Sequence, residues 1–412
     1  MKKIDGFSIG DLVKKFGSPL FIVSGAAVKN NYRAFRAAFS GSYPEVRIAY
    51  SYKVNYIPAI LEIIHGEGAW AEVASGFEYD LARKLGVPGR SIVFNGPHKK
   101  KEELSKALSE GALINADHLD EIKLLEKIAR EEGRPVDIGI RVNMNVGIEQ
   151  FPDRFGFNLE SGEAAQIIKR SLRKRLIRII GLHVHLTSYI VKPYGKGDSP
   201  AKSIKLIWPK DSRAYRRAAK KIAGFSKEIK EGFGIDMKYL DMGGGFPAVD
   251  SLSPYVAAVT EPILKGFGNE DLPSLILEPG RAIVSRAVHL VTTVVAAKEL
   301  TGGNSAVIVD SGINLLPTSF WKFQEIECLT KSGKDLKETT VYGPLCLQTD
   351  IIGRCLLPGL RAGDRLLIKN VGAYNIPQSS SFIFPLPPIL LIDDGRLRLV
   401  RRAETVEDVL SA

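Results

Sequence analysis

The sequence predicts an α/β fold: a parallel (β/α)8 barrel of the TIM type, followed by a C-terminal β-barrel or β-sandwich domain. Short apolar runs rich in β-branched residues alternate with amphipathic stretches, which is typical of βα units around a parallel sheet. Beyond Arg281 the pattern changes to strands separated by tight turns. The 412 residues are enough for about two or three domains.

Eight apolar runs are the candidate barrel strands, and nearly all of them end in polar residues or glycine. They are residues 46–53, 70–75, 91–95, 112–115, 136–143, 179–185, 239–243 and 275–278. Helices fit between them, for example at 118–132, with Asp117 as the expected N-cap, and at 213–230. Barrels of this kind carry their active sites at the C-terminal ends of the strands, so the polar strand ends are the predicted site.

The C-terminal part of the chain reads as a separate β domain. Its candidate strands are residues 287–300, 306–311, 339–343, 364–371 and 396–401, the last following an Asp393-Asp394-Gly395 turn. This pattern places a domain boundary near residue 282 and predicts a barrel domain over 25–282 and a β domain over 283–412.

Composition excludes several classes of protein. No apolar stretch approaches the roughly 20 residues that span a bilayer, and we expect a cytoplasmic protein without a membrane anchor. Three cysteines without metal-type spacing predict neither a disulfide framework nor a metal site. The net charge of +11 is concentrated in residues 169–178 and 213–221. These runs are either solvated helix faces or a docking face for an acidic partner, and no nucleic-acid-binding signature accompanies them.

Three segments carry a family resemblance. Lys53 stands in Ala-Tyr-Ser-Tyr-Lys-Val-Asn, a Gly-Gly-Gly-Phe-Pro run occupies 243–247, and Glu-Pro-Gly-Arg occupies 278–281. Together they resemble the alanine-racemase-like barrel family of pyridoxal 5′-phosphate (PLP) enzymes, in its ornithine, arginine and diaminopimelate decarboxylase branch. The resemblance implies a PLP cofactor and α-decarboxylation of an amino acid. It also implies that residues 1–24, with a strand at 19–23, join the β domain.

The resemblance assigns the two main cofactor contacts. It makes Lys53 the lysine that forms a Schiff base with PLP, and Glu278 the carboxylate that pairs with the pyridine nitrogen. A lysine at a strand end is otherwise a surface charge, and Glu278 is otherwise an ion-pair partner of an arginine such as Arg281.

The glycine run and its neighbours are the predicted phosphate site. Gly243, Gly244 and Gly245 remove side chains where an anion approaches backbone amides. The resemblance adds contacts from residues spread over three segments, namely Ser188, Gly280, Arg281 and Tyr374. Alternation along residues 181–188 points two histidines to one face, and the resemblance makes His185 the residue stacked on the cofactor ring. His183 is either a site residue or a barrel histidine with a satisfied partner.

Further likenesses concern Glu72, in a second-strand motif under the cofactor, and Arg141, either a brace for the cofactor or a buried ion-pair partner. The Gly343-Pro344-Leu345-Cys346 run resembles a loop that the decarboxylases contribute from the neighbouring subunit. The resemblance then makes Cys346 the acid that protonates the product carbanion, and it implies a homodimer with shared active sites. The alternative is a small buried thiol.

This chain departs from the branch where the substrate's distal end would bind. Leu347 follows the cysteine in place of an acidic residue, although Asp350 lies close in sequence. The run after Asn314 lacks the arginine expected for a distal carboxylate. A buried charge without a partner is costly, so diaminopimelate itself is not the expected substrate.

A long basic connection between residues 189 and 215, which contains Trp208, is expected to lie on the active-site side. It suggests a bulky, conjugated or carrier-bound substrate, and an acidic carrier protein is the corresponding partner. The predicted function is therefore PLP-dependent decarboxylation of a modified amino acid. The alternatives are a PLP-dependent racemase or epimerase, and a noncatalytic PLP-binding homologue.

Overall fold

The computed structural model describes residues 2–147, 154–186, 212–268, 271–330 and 335–411. The chain divides into two compact units. The barrel unit comprises Tyr32–Lys53 and Ile64–Ala282, and the β unit comprises Met1–Asn31, Val54–Ile63 and Ile283–Ala412. Among the described helices, none is both long and apolar enough to cross a membrane.

The strands are numbered in chain order. They are β1 (Lys3–Ile4), β2 (Phe7–Ser8), β3 (Leu20–Ser24), β4 (Val46–Ser51), β5 (Trp70–Val73), β6 (Ile92–Phe94), β7 (Leu113–Ala116), β8 (Val136–Asn143), β9 (Phe157–Asn158), β10 (Ile177–His183), β11 (Tyr239–Asp241), β12 (Ser274–Leu277), β13 (Val288–Leu300), β14 (Asn304–Val309), β15 (Glu325–Cys328), β16 (Leu336–Tyr342), β17 (Ile351–Pro358), β18 (Arg365–Lys369), β19 (Ile389–Asp393) and β20 (Arg396–Arg401).

The α-helices are likewise numbered along the chain. They are α1 (Ile9–Phe16), α2 (Gly25–Ser40), α3 (Pro58–Gly66), α4 (Gly76–Lys84), α5 (Lys101–Ser109), α6 (Leu119–Glu131), α7 (Glu163–Lys174), α8 (Arg213–Phe233), α9 (Ser253–Phe267), α10 (Arg281–Val284), α11 (Asn375–Gln378) and α12 (Val406–Leu410). Short 3-10 turns occur at Tyr52–Val54, Gly89–Ser91, Ser285–Ala287 and Pro317–Phe320.

Eight parallel strands close the barrel. Strands β4 to β8 are neighbours in chain order, β8 pairs with β10, and β10, β11 and β12 lead back to β4. The short strand β9 adds to β8 outside this ring. Every predicted barrel strand corresponds to one of the eight, and the predicted barrel is confirmed. The Asp117 cap is wrong: α6 is capped by His118, whose ring nitrogen accepts the Glu121 N–H.

The centre of the barrel is filled around one aromatic ring. Tyr239 packs with Ala49, Val93 and Ile276 in the interior. A side chain at Gly181 would lie 2.2 Å from the Tyr239 ring, so glycine there makes room for it. Its hydroxyl contacts Asn115, which lies near the C-terminal end of β7.

The β unit is built on the long strand β13, which is antiparallel to β3, β14 and β18. Its main sheet has the order β17-β16-β14-β13-β3-β19-β20. The N-terminal strand β3 therefore lies between β13 and β19. The predicted mostly β second unit is confirmed, and β15, β17 and β19 are strands that the sequence patterns missed.

Candidate active site

Lys53 follows the end of β4, in a 3-10 turn at Tyr52–Val54. Its amine donates a hydrogen bond to Glu72 Oε2, which also accepts from the Ser51 hydroxyl. The Lys53 side chain is 37% exposed, whereas that of Glu72 is 1% exposed. A buried carboxylate therefore orients an amine that a ligand can reach.

Glu278 is the buried carboxylate that directly follows β12. Its Oε1 accepts a hydrogen bond of 2.5 Å from Asn95 Nδ2. Its Oε2 lies 3.5 Å from His183 Nε2 and 3.6 Å from His185 Nδ1, and it has no hydrogen-bond partner among the described residues. Burial raises the pKa of Glu278, but the nearby histidines and Lys53 outweigh it and hold the pKa well below its usual range. Glu278 is therefore an ionised acceptor with one oxygen left open.

His185 is held in one tautomer. The Gly244 N–H donates to its Nδ1 at 3.1 Å, which places the ring proton on Nε2. Burial, together with the charges of Lys53 and Arg141, lowers the pKa of His185 in spite of Glu278. His185 therefore lines the cavity as a neutral ring rather than as a charge.

The glycine run needs to be glycine at two positions. A Cβ at Gly243 would lie 2.4 Å from the Val184 carbonyl oxygen, and a Cβ at Gly244 would lie 2.4 Å from that of Glu278. Gly243 also adopts φ +62°, where side chains are disfavoured. The loop thus brings bare backbone close to the neighbouring strand ends.

Two ionisable side chains frame this loop. The Arg281 guanidinium donates to the Gly245 carbonyl oxygen at 2.8 Å, and Asp241 Oδ1 accepts the Gly243 N–H at 2.9 Å. Burial and the charge of Glu278 raise the pKa of Asp241 well above its usual range. Asp241 is therefore the neutral member of this carboxyl pair and Glu278 the ionised one.

A ladder of hydrogen bonds runs from the barrel interior to Glu278. The Tyr239 hydroxyl donates to Asn115 Oδ1 at 2.8 Å, and Asn115 Nδ2 donates to Asn95 Oδ1 at 2.9 Å. Asn95 then donates to both Glu278 and Glu72. Because the Asn95 amide bridges Glu72 and Glu278, this chain of hydrogen bonds fixes the two carboxylates relative to each other.

These side chains surround a cavity of about 220 Å³ at the C-terminal ends of the strands. Its lining brings together Lys53, His185 and Glu278, which the sequence predicted for the site, and it also includes His183, whose role the sequence left open. The complete lining is Lys53, Glu72, Ala74, Asn95, Gly96, Pro97, Arg141, Phe155, His183, His185 and Glu278.

The cavity fits a pyridine cofactor. The open Oε2 of Glu278 can accept a hydrogen bond from a protonated ring nitrogen, and Lys53 supplies an amine on the same cavity. Ligand atoms of His183, His185 and Glu278 also lie within 4.8 Å of one another, a spacing that a metal ion would accept. However, the His185 Nδ1 lone pair already accepts the Gly244 N–H, which disfavours a metal there.

Five other predicted residues lie in the β unit. Cys346 is exposed on the loop after β16, and Leu347 beside it is 42% exposed. Asp350 is buried, and its two oxygens accept the N–H groups of Ile313 and Leu345 at 2.8 Å each. This geometry makes Asp350 a brace of the cysteine loop rather than a group pointing at a ligand.

Asn314 and Tyr374 are also held within the β unit. Asn314 Nδ2 donates to the Ser380 carbonyl oxygen at 3.1 Å. Tyr374 has φ +65°, a conformation that is rare for an aromatic residue, and its N–H donates to Val54 O. Gly280 lies in the turn between β12 and α10. Ser188 and Trp208 lie outside the described residues.

Sequence reasoning missed two polar residues, one in the cavity wall and one behind it. Asn95 ends a predicted strand, and a polar residue at that position was its only signal. Asp117 has its side chain directed at Arg141, with its Oδ1 3.6 Å from a guanidinium nitrogen. No sequence pattern distinguishes this role from the helix cap that was expected.

Comparisons with known proteins agree with the geometry. The family described as "Pyridoxal-dependent decarboxylase, pyridoxal binding domain" matches residues 26–197 and 209–285. The chain is 29% identical to a diaminopimelate decarboxylase of Methanocaldococcus jannaschii, over 99% of this chain and 94% of the relative, and 28% identical to that of Aquifex aeolicus, with the same coverage.

Solved structures show the same likeness. The chain resembles the crystal structure of the Methanocaldococcus jannaschii enzyme in complex with L-lysine, with a TM-score of 0.87 at 28% identity, over 99% of this chain and 95% of that one. The Helicobacter pylori enzyme complexed with L-lysine gives a TM-score of 0.83 at 25% identity, over 98% of each chain.

Proposed function

This chain belongs to the family of pyridoxal-dependent decarboxylases, and we propose that Lys53 is the lysine to which its PLP is bound. The protein is a PLP-dependent carboxy-lyase that acts on an amino acid. The observation that carries the Lys53 assignment is the pairing of an accessible amine with Glu278, a buried carboxylate that has an open oxygen on the same cavity.

Bound PLP supplies an electron sink for the bond between the α-carbon and its carboxylate. Glu72 holds the Lys53 amine in place, and Glu278 keeps its negative charge for the ring nitrogen. The neutral His185 ring lies along one side of the cavity. The Gly243–Gly245 loop, with Arg281 beside it, is the proposed phosphate site, and Gly280, Ser188 and Tyr374 remain proposed contacts.

Cys346 is the proposed proton donor to the α-carbon after carbon dioxide leaves. Its thiol is exposed, and Asp350 fixes the backbone of the loop that carries it. We place this loop in the active site of a partner subunit, so the proposed enzyme is a homodimer with shared sites. Mixing two inactive variants, Lys53→Ala and Cys346→Ala, should then restore about a quarter of the wild-type sites, because a mixed dimer contains one site with neither change. No recovery on mixing would contradict the shared site.

The Lys53 assignment has a direct chemical test. Borohydride reduction of the PLP-loaded protein, followed by peptide mass mapping, should place the cofactor mass on Lys53. The Lys53→Ala variant should lose the absorbance of the lysine-bound cofactor, whereas Lys101→Ala, at an exposed lysine paired with Glu131, should keep it. Retained absorbance and turnover in Lys53→Ala would refute the assignment.

The substrate is the finer part of the proposal. The named relatives are diaminopimelate decarboxylases, which makes diaminopimelate the first compound to test. In this chain, however, Leu347 follows Cys346, and both oxygens of Asp350 are occupied by backbone amides. A distal ammonium would therefore lack a partner on this loop. We expect a substrate with an uncharged or modified distal end, of which a conjugated or carrier-bound amino acid is one form.

Carbon dioxide release decides between these substrates. A panel of diaminopimelate, lysine, ornithine and their distally acylated derivatives should show the highest kcat/KM for an acylated member. Efficient use of diaminopimelate itself would overturn the expectation for the distal end while leaving decarboxylation intact. Loss of the α-hydrogen to solvent deuterium without carbon dioxide release would favour a racemase.

A further inference from the structure

A group of buried charges lies behind one wall of the cavity, outside the residues assigned to the cofactor. Lys99 is fully buried at the start of the turn into α5, and its amine contacts Glu121 Oε1 at 2.6 Å. The same amine donates to the Gly96 carbonyl oxygen at 2.6 Å. Gly96 lines the cavity, so Lys99 ties this part of the wall to α6.

Asp117 joins the group from the end of β7. Its N–H donates to Glu121 Oε2 at 2.9 Å, and its side chain is 2% exposed. Asp117 Oδ1 lies 3.6 Å from an Arg141 guanidinium nitrogen and has no hydrogen-bond partner among the described residues. The carboxylate is therefore directed at Arg141 as a counter-charge and does not cap the helix.

Arg141 connects this group of buried charges to the cavity surface. It ends in the cavity wall, with its guanidinium carbon 4.4 Å from the centre of the Phe155 ring. Its side chain is only 10% exposed, so water compensates little of its charge. Apart from Lys53, it is the cation of the described cavity lining.

We propose that Asp117 is a positioning residue, which holds the Arg141 guanidinium against Phe155 as the cationic wall of the cofactor and substrate cavity. This inference rests on the proposed function, in which the cavity holds PLP. Removing the counter-charge leaves a buried guanidinium unpaired, and Arg141 is then expected to turn toward another carboxylate. The site electrostatics would change, because the Arg141 charge contributes to the lowered pKa of His185.

The central variant is Asp117→Asn, which keeps the side-chain size and removes the charge. In the PLP-loaded enzyme it should raise the PLP dissociation constant about 10-fold, the scale typical for loss of a residue that orients a ligand. It should also shift the pH midpoint of the lysine-bound cofactor's absorbance to lower pH, because the site loses a negative charge. Asp117→Glu, which keeps the charge, should restore both values toward wild type.

Controls separate positioning from simple stability. Asp120→Asn changes an exposed aspartate three residues away that pairs with Lys123, and it should leave both values unchanged. Arg141→Gln should reproduce the loss of PLP affinity seen in Asp117→Asn, and the double variant should show no further loss of affinity. The absorbance midpoint of Arg141→Gln should instead move to higher pH, because the site loses a positive charge. If Asp117→Asn fails to fold, Arg141→Gln alone decides.

The outcomes are distinct. Wild-type PLP affinity and absorbance midpoint in Asp117→Asn or in Arg141→Gln would overturn the inference, whatever their melting temperatures. Independent effects of the two changes on PLP affinity in the double variant would also overturn it. A wrong proposed function would be recognised by a different result: after borohydride reduction of the wild-type protein, peptide mapping would not find the cofactor on Lys53.

Discussion

Two βα turns of the barrel have the same local design and different electrostatics. In the turn from β5 to α4, Ser75 caps the helix and Glu78 Oε2 accepts the Ala74 N–H at 2.7 Å. In the turn from β7 to α6, His118 caps the helix and Glu121 Oε2 accepts the N–H of Asp117, the residue before the cap, at 2.9 Å. Both glutamates are buried.

Among the residues that the structure describes, only the second glutamate contacts a buried lysine, Lys99. Burial raises the pKa of Glu78 to about 7, and the negative charge of Glu72 adds to this effect. The hydrogen bond from the Ala74 N–H and the charge of Lys53 oppose it, and Lys53 has the weaker influence of the two. The comparison teaches that a capping motif sets the geometry of a carboxylate. A residue from a different turn sets its counter-charge.

The largest expected effect is on stability, in the turn from β7 to α6, where Glu121 pairs with Lys99. Glu121→Gln leaves Lys99 buried without its partner and should reduce the free energy of unfolding by about 3–5 kcal/mol. Chemical denaturation at pH 7 measures it, with Glu131→Gln, which breaks an exposed pair with Lys101, as the matched control. The control should lose no more than about 1 kcal/mol. Equal losses in the two variants would show that the buried pair contributes no more to stability than the exposed pair.

A second effect is a pH dependence of stability that arises from Glu78, in the turn from β5 to α4. A carboxyl with a raised pKa binds more protons in the folded than in the unfolded state between pH 4.5 and about 7. The free energy of unfolding should therefore fall as pH rises through that window, by up to about 3 kcal/mol. Glu78→Gln should remove this fall, as measured by denaturation at pH 5 and pH 8. An unchanged difference between the two pH values would contradict the assignment.

The smallest effect should be the same in both turns. Ser75→Ala and His118→Ala each remove the acceptor of one helix N–H and should each cost about 1 kcal/mol of unfolding free energy. Thermal and chemical denaturation of both variants measure it. Costs that differ by more than about 2 kcal/mol would show that the caps, and not only the carboxylates, differ between the turns.

Much of the barrel was predictable because periodicity is a local property. Runs of β-branched residues followed by amphipathic stretches gave all eight barrel strands, and the polar ends of those strands marked the site. The β unit was harder. Strand β15 has only four residues, none of which is fully buried, and β19 follows two prolines, so both are weak signals in the sequence.

Asp117 shows the limit of local rules most clearly. An aspartate before a helix is a good N-cap by composition, and so the sequence predicted one. The next residue, His118, takes that position, because β7 continues to Ala116 and turns Asp117 inward toward Arg141. The choice between the two neighbours depends on a partner 24 positions further along the chain.

By itself, the sequence determined the strand pattern of the barrel, the family, and the residue types available at the strand ends, because each of these depends on short segments. Only the tertiary structure decided which of those residues meet. Asn95 bridges Glu72 and Glu278, which lie 23 and 183 positions away from it. Closure of the barrel brings the strand ends into one ring, and the protonation of each carboxyl then follows from burial and neighbouring charges that no local pattern records.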